Sequence, residues 1–379
     1  MIVNQKANKI AILTSAHNAF DDRIFYKQAK SLVKAGYNVI LIAQHEKDDV
    51  IDGVKIIGFP MPKSRFHRMT FCSIKILICA IKEGADIYHF HDPELMPVGV
   101  LLKVFTRAKV IYDVHEDYSK QILSKPYIPK IARKGIAFLI RLMEVISSRF
   151  FDGIITATDD ILRNFSYHKK SLSIRNFPVL SNFLVMRTNK NNNIFNLIYV
   201  GGLTKIRGII QIVQSLEFIS SNNSIKLTLC GEFYPSDFED RVRSLKGFNS
   251  VEYLGWIEPE KIPEALSKAD AGIVCLLPKS NYINAMPTKL FEYMACSLPV
   301  VASDFPLWKE IVEGNRCGIC VDPLNPKEIA QAVEYLMEHP DEAKQMGENG
   351  RKAVLEKYNW ENESKKLISL YQKLLNQEK

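Results

Sequence analysis

Apolar runs and amphipathic stretches alternate along most of the chain. Residues 9–14 (KIAILT) form an apolar run too short for a helix and long enough for a buried strand. Residues 22–35 (DRIFYKQAKSLVKA) carry a helical pattern, Gly36 stands where a helix-ending glycine belongs, and 38–43 (NVILIA) returns as a strand. Further strands are expected near 54–58, 86–90, 109–112 and 153–156, with helical stretches between them. Buried apolar strands alternating with helices predict a parallel, doubly wound sheet. The alternation lapses at 181–193 (SNFLVMRTNKNNN), an Asn-rich end without periodicity that reads as a linker. It restarts with strands at 195–200, 225–230, 251–254, 271–276 and 298–302, and the tail after Trp360 is helical to about residue 377. The pattern therefore predicts an α/β protein with two Rossmann-like, doubly wound domains. Ligands of such sheets bind at the carboxyl ends of the strands, here in a cleft that the two domains face.

Composition agrees with this picture and narrows it. A chain of 379 residues with 47% apolar and 24% charged residues is an ordinary globular composition, long enough for two cores. The run Ile10–Leu13 is too short for the apolar region of a signal peptide, and no uncharged apolar stretch reaches the ~18 residues of a membrane span. A cytoplasmic protein is expected. Seven cysteines, an odd number lying mostly in apolar segments, fit buried free thiols better than a disulfide framework. Cys317 and Cys320 form a lone CxxC without a second ligand pair, a poor zinc or redox signal.

Charge changes the picture more. Residues 1–180 hold 27 Lys and Arg against 17 Asp and Glu, whereas residues 181–379 hold 23 against 25. Within the first half, residues 119–149 contain seven basic side chains against one acid, Glu144, interleaved with Ile131, Ile136, Phe138, Leu139 and Leu142. A second basic stretch, Lys63 to Lys82, mixes Arg65, Arg68 and Lys75 with Phe66 and Phe71. Interfacial helices combine these two features, so the first domain is expected to rest on an anionic membrane face. The alternative is that the apolar side packs on the sheet and the cations are solvated. No nucleic-acid recognition motif accompanies the charge.

Candidate chemistry concentrates in three places. In NAMPTKLFEYMACSLPVV (284–301), spacings of three and seven put Lys289, Glu292 and Cys296 on one helix face, as a surface ion pair would also require. The turn Gly201-Gly202-Leu203-Thr204-Lys205-Ile206-Arg207-Gly208 joins a strand to a helix and offers backbone N–H groups and two cations to a diphosphate. It lacks the spacing of a Walker or dinucleotide fingerprint. Tyr88-His89-Phe90-His91-Asp92 ends a strand, and alternation points His89 and His91 the same way. Two histidines make a poor metal site, and no metal is expected.

Together these segments resemble the family 4 glycosyltransferases, enzymes of the two-domain GT-B fold. PTKLFEYMACSLPVVAS (287–303), the glycine turn, DDRIFYKQAKSLVKAGYNVILIA (21–43), ADIYHFHDPEL (85–95), VIYDVHEDY (110–118) and NFPVLSNF (176–183) look like that family's landmarks in order. The resemblance implies an acceptor-side domain over 1–183, a nucleotide-sugar-binding domain over 184–358, and a C-terminal helix over 359–379 that packs back on the first domain.

It also implies roles. Glu292 matches the glutamate that faces the nucleotide ribose, where a carboxylate accepts two hydroxyl hydrogen bonds. Asn284, with residues 285–291 between, stands where the family carries a second glutamate, and the backbone at Met286, Pro287 and Thr288 takes more of the sugar contact. Arg207 matches the cation before the helix glycine. Gly202 replaces the family's other cation, leaving Lys205 or Lys289 as substitutes beside Gly201. His91 aligns with the histidine that touches the donor sugar or its leaving-group region, while His89 is structural. His115 and Glu116 contact acceptor or donor, or simply pack. Thr14-Ser15-Ala16-His17-Asn18 replaces the family's glycine loop after the first strand and lines the acceptor side.

The expected activity is retaining transfer of a sugar from a nucleoside diphosphate sugar to a hydroxyl acceptor, without cofactor or metal, in surface polysaccharide or glycolipid assembly. The acceptor is a saccharide or lipid-linked saccharide. The rival readings are a sugar-nucleotide 2-epimerase of the same architecture and a sugar-nucleotide-binding protein without catalysis.

Overall fold

Eight strands form one sheet and six form another, each with its own helices. The structure, a computed structural model, describes residues 7–125, 128–183, 194–220 and 224–376. It divides into unit 1, Met1–Asn176 with Glu361–Lys379, and unit 2, Phe177–Trp360. The linker expected at 181–193 lies, from residue 184 on, outside the described residues.

The strands of unit 1 are β1 (Lys9–Asn18), β2 (Asn38–Gln44), β3 (Asp49–Ile51), β4 (Val54–Phe59), β5 (Ile87–Phe90), β6 (Lys109–Val114), β7 (Gly153–Thr156) and β8 (Ser171–Ser173). Their order across the sheet is β3-β4-β2-β1-β5-β6-β7-β8. All pair in parallel except β3, an antiparallel edge strand on β4 that the apolar pattern does not predict. Parallel crossovers are right-handed, so helices linking strands that advance in one direction share one face. The helices Ser73–Glu83, Met96–Phe105 and Lys130–Ser148 all lead toward β8 and cover the face that carries Tyr88, Phe90 and Tyr112. The segment expected as one helix over 22–35 is π-helical over Asp22–Ala29 and continues as an α-helix over Lys30–Lys34.

Unit 2 contains β9 (Phe195–Val200), β10 (Ile225–Cys230), β11 (Val251–Gly255), β12 (Ala271–Val274), β13 (Val300–Ser303) and β14 (Gly318–Val321) in the order β11-β10-β9-β12-β13-β14. All neighbours are parallel. The expected strand at 298–302 begins at Val300 because Pro299 has no N–H for the ladder. The Cys317–Cys320 segment enters β14, where burial pushes both thiols up to about 12, so neither is a thiolate at neutral pH. All seven cysteines are free.

Candidate active site

Each sheet reverses its winding once. In unit 2 the chain leaves β9 for β10 and β11, then crosses back to β12 on the other side of β9. Such a reversal opens a crevice at the carboxyl ends of the two central strands, β9 and β12. The glycine turn follows β9, and the backbone after β12 is tied to it: Leu277 N–H donates to the Ile206 carbonyl at 2.9 Å.

Gly201 has φ +121°, and a Cβ built there would lie 2.6 Å from Lys289 Nζ and 3.1 Å from Arg207 Nη1. Two cations therefore converge on a position that must lack a side chain. Lys289 Nζ donates to the Tyr199 hydroxyl at 2.8 Å, and that hydroxyl donates to the Gly202 carbonyl at 3.2 Å. Burial holds the Lys289 ammonium well below the usual lysine range; Arg207 pushes it the same way and Glu292 opposes. Burial also pushes Tyr199 up to about 12, against the pull of Arg207.

Lys289 and Glu292 stand one turn apart on the helix Thr288–Ala295, and Glu292 is half-buried. Their pairing is not a solvated surface ion pair, because Lys289 reaches inward to Tyr199. Cys296, on the same stripe, is buried in the core. Pro287 precedes the helix and Thr288 opens it, with the Ala285 carbonyl anchored by Trp308 Nε1–H at 2.7 Å and Met286 packed on the core. Asn284 is exposed and closes the short turn Ser280–Ile283, outside that helix. Lys205 is also exposed, on the same turn as Arg207.

Unit 1 reverses between β1 and β5. Here the segment Thr14–Asn18, expected as a loop, continues β1 with a register shift between Leu13 and Asn18. Asp92 explains the shift. Its carboxylate accepts from Thr14 Oγ1 at 2.8 Å and from the backbone N–H groups of Ser15 at 2.6 Å and Ala16 at 3.1 Å, stitching the end of β1 to the end of β5.

Four imidazoles follow one another from surface to interior. Ring centroids lie 5.5 Å apart for His17–His115, 5.0 Å for His115–His91 and 4.6 Å for His91–His89. Side-chain exposure falls along this series from 33% at His17 to 17% at His115 and 0% at His91 and His89. His91 Nδ1 and His115 Nε2 share a hydrogen bond of 2.9 Å, and His91 Nε2 is buried without a partner. Burial first, and then His89, hold His91 well below the ordinary histidine range; burial takes His115 to about 4. Both are neutral at pH 7. Burial would lower His17 as well, but its hydrogen bond to Asp21 at 3.1 Å and the nearby Asp92 raise it instead.

Asp113 lies under this series and was not evident from the sequence. It is fully buried on β6, where burial alone would raise its pKa, yet the opposing pull of Arg23 and His115 holds the carboxyl well below its usual range. Arg23 Nη2 donates to both carboxylate oxygens at 3.0 and 3.1 Å, and Gln28 Nε2 donates at 2.6 Å. His89 Nδ1 meets the Tyr371 hydroxyl at 2.7 Å, which brings the C-terminal helix Trp360–Leu375 onto this face of unit 1. His89, His91 and Asp113 place possible ligand atoms within 4.8 Å of one another. The Asp113 oxygens already accept from Arg23 and Gln28, so the guanidinium occupies the position of charge that an ion would fill. Glu116 is exposed and bonds Gln121.

Comparison with known proteins accounts for both halves. Residues 22–170 match the Glycosyltransferase Family 4 domain, and residues 184–353 match Glycosyl transferases group 1. The chain is a family 4 glycosyltransferase. An uncharacterized glycosyltransferase of Methanocaldococcus jannaschii is 24% identical over 375 residues, covering 90% of this chain and 91% of that one. The MMP alpha-(1->4)-mannosyltransferase of Mycolicibacterium hassiacum is 20% identical over 330 residues, covering 84% and 76%.

Among solved structures, sucrose-phosphate synthase from Thermosynechococcus elongatus superposes with a TM-score of 0.78 at 19% identity, covering 97% of this chain and 99% of that one. Anabaena HepE in complex with UDP-glucose gives 0.72 at 14% identity, covering 97% and 100%. These neighbours assign the GT-B fold to this glycosyltransferase. As a member of the family it is an enzyme.

Proposed function

We propose that this glycosyltransferase transfers a sugar from a nucleoside diphosphate sugar to a hydroxyl of a saccharide or lipid-linked saccharide, with retention of configuration and without a metal. The observation that carries this reading is the meeting of Arg207 and Lys289 over Gly201 at the β9–β12 switch point, one helical turn from Glu292. Departure of a nucleoside diphosphate leaves extra negative charge on the phosphates, and preorganised cations lower that barrier. Burial disfavours the Lys289 charge and a diphosphate favours it, so part of the binding energy appears as proton uptake. The backbone of the glycine turn and of Met286–Thr288 lies beside these cations, and the Glu292 carboxylate suits a ribose diol.

One structural neighbour supports the donor class by its own ligands: HepE was solved in complex with UDP and with UDP-glucose. His91 is assigned to the transfer step, as a neutral imidazole fixed by His115 on one nitrogen and unpartnered on the other. His17 and His115, the more exposed members of the series, are assigned to the acceptor side. A role in surface polysaccharide or glycolipid assembly at the inner face of a membrane completes the reading.

The experiment is a thermal-shift screen against UDP-, GDP-, ADP- and CMP-sugars, followed by the mass of the product formed with candidate acceptors. Stabilisation by one nucleotide series and a product heavier by one glycosyl unit are expected. A new sugar nucleotide formed from the donor alone would instead identify an epimerase.

A further inference from the structure

The helices on one face of the unit 1 sheet have outer surfaces that are apolar where polar residues are the rule. On Ser73–Glu83 and the turn before it, Phe71, Ile74, Ile78 and Ile81 recur at helical spacing and are all exposed, Phe71 by 63% and Ile78 by 60%. The inner stripe of the same helix, Cys72, Ile76 and Ala80, is buried on the sheet. The helix Met96–Phe105 packs beside it and exposes Leu101, Val104 and Phe105. The helix Lys130–Ser148 packs on that one in turn and exposes Phe138, Leu139, Leu142, Met143 and Ile146. Packing onto the sheet therefore uses other residues, and three adjacent helices carry one contiguous apolar surface. A surface of this extent marks an interaction site.

Its border is cationic. Lys75 and Lys82 flank the first stripe, and Lys130, Lys134 and Arg149 flank the third; all are exposed. Among the described residues none of these five is paired with an acidic side chain. Glu144, the acid of the third helix, is buried and sits 3.5 Å from Arg141, so it does not neutralise this border. A second copy of the chain docked here face to face would oppose cation to cation, which costs energy rather than supplying it. An anionic lipid leaflet satisfies both features, taking the apolar stripes among its acyl chains and the ammonium groups among its phosphates, each cation contributing roughly 1 kcal/mol.

We infer that unit 1 docks on an anionic phospholipid surface through the outer face of helices Ser73–Glu83, Met96–Phe105 and Lys130–Ser148. Docking is interfacial, because among the described residues no helix is long and apolar enough to cross a membrane. His89 lies on the opposite face of the sheet, toward Tyr371, and His91 and Asp92 follow β5 at the switch point between β1 and β5. The surface and that edge are thus built from different residues. The inference stands apart from the donor chemistry proposed above, and its test measures no transfer.

The full chain is sedimented with vesicles of phosphatidylcholine alone and with vesicles containing phosphatidylglycerol. Most of the protein should pellet with anionic vesicles at low salt and at least tenfold less with neutral ones, with binding falling in 0.5 M salt. F138D/L142D should abolish pelleting, and K130E/K134E should weaken it severalfold, both with unchanged circular dichroism and melting temperature as evidence of an intact fold. Equal pelleting with neutral and anionic vesicles, no pelleting with either, or unaltered binding by folded variants would overturn the inference. So would a concentration-dependent dimer that F138D/L142D converts to a monomer without any lipid binding in the parent protein.

Discussion

The two switch points are built on opposite electrostatic plans. At the β9–β12 edge two cations approach one glycine, and burial, with Arg207 beside it, holds the lysine below its normal pKa. At the β1–β5 edge the charges are closed on themselves: Arg23 and Gln28 bond Asp113, Asp92 accepts from Thr14 and backbone N–H groups, and His91 and His115 are neutral. The first edge gathers positive charge. The second pairs its charges and leaves the buried His91 Nε2 without a partner. Under the function proposed above, the first would receive a diphosphate and the second would orient hydroxyls.

The sharpest way to break the comparison is to open the closed site. Asp113→Ala leaves the Arg23 guanidinium buried without its carboxylate and should cost about 3–5 kcal/mol of stability, measured by denaturant unfolding. The pH dependence has a definite sign. The folded-state pKa of Asp113 is depressed, so its contribution is fully present above the unfolded value of about 3.9 and is lost as pH falls toward the folded value. The parent protein should therefore lose stability on acidification below about pH 5, and Asp113→Asn should show a shallower acid limb. An unchanged limb would mean that the pair adds nothing.

His91→Ala tests whether the closed site acts in the reaction. Turnover should fall roughly 10²-fold or more while donor affinity changes little, because a group acting at the reacting sugar matters chiefly in the transition state. Steady-state kinetics with separate titration of donor binding reads the split. Loss of affinity with turnover retained would move His91 out of the transfer step.

On the open side, Glu292→Ala should weaken both nucleotide sugar and free nucleoside diphosphate by about 1.5–3 kcal/mol, the value of a charged hydrogen bond. Calorimetry on the folded variant checks it. Unchanged affinity would remove Glu292 from the donor site.

The open site was more legible in the sequence than the closed one, for a physical reason. Its parts are local: a glycine turn between strand and helix, and a lysine and glutamate one turn apart. Tyr199, which receives Lys289, was hidden in the apolar run FNLIYV because nothing marks an inward hydroxyl there. Asp113 and Arg23 are 90 positions apart, and no spacing rule joins them. The one available signal was a carboxylate inside the apolar strand VIYDV, where an unpaired charge would be untenable.

The strands were read from apolar runs that burial on both faces requires, so β2, β4, β9 and β10 stood out. β3 (DVI) and β8 (SLS) are short and partly polar, and β14 (GICV) is short and opens on a glycine, so these three did not. The dipeptide Asp52-Gly53, both residues at positive φ, was the hairpin signal that gives β3. Ser15 and Ala16 lie beyond the apolar run because strand patterning sees side chains, whereas Asp92 holds them in the strand by accepting from their backbone N–H groups.

The most direct test of the account is the proton balance of diphosphate binding. Lys289 is depressed in the free protein, and an arriving diphosphate should restore its charge, so binding should take up a proton at a pH between its lowered value and the ordinary ~10.4. Calorimetry of the nucleoside diphosphate giving the largest thermal shift, at a series of pH values up to about 10 and each in two buffers of different ionisation enthalpy, measures that uptake. The account predicts net proton uptake by the parent protein, with weaker binding and no uptake in Lys289→Met. Equal heats in both buffers, with undiminished binding by Lys289→Met, would contradict it.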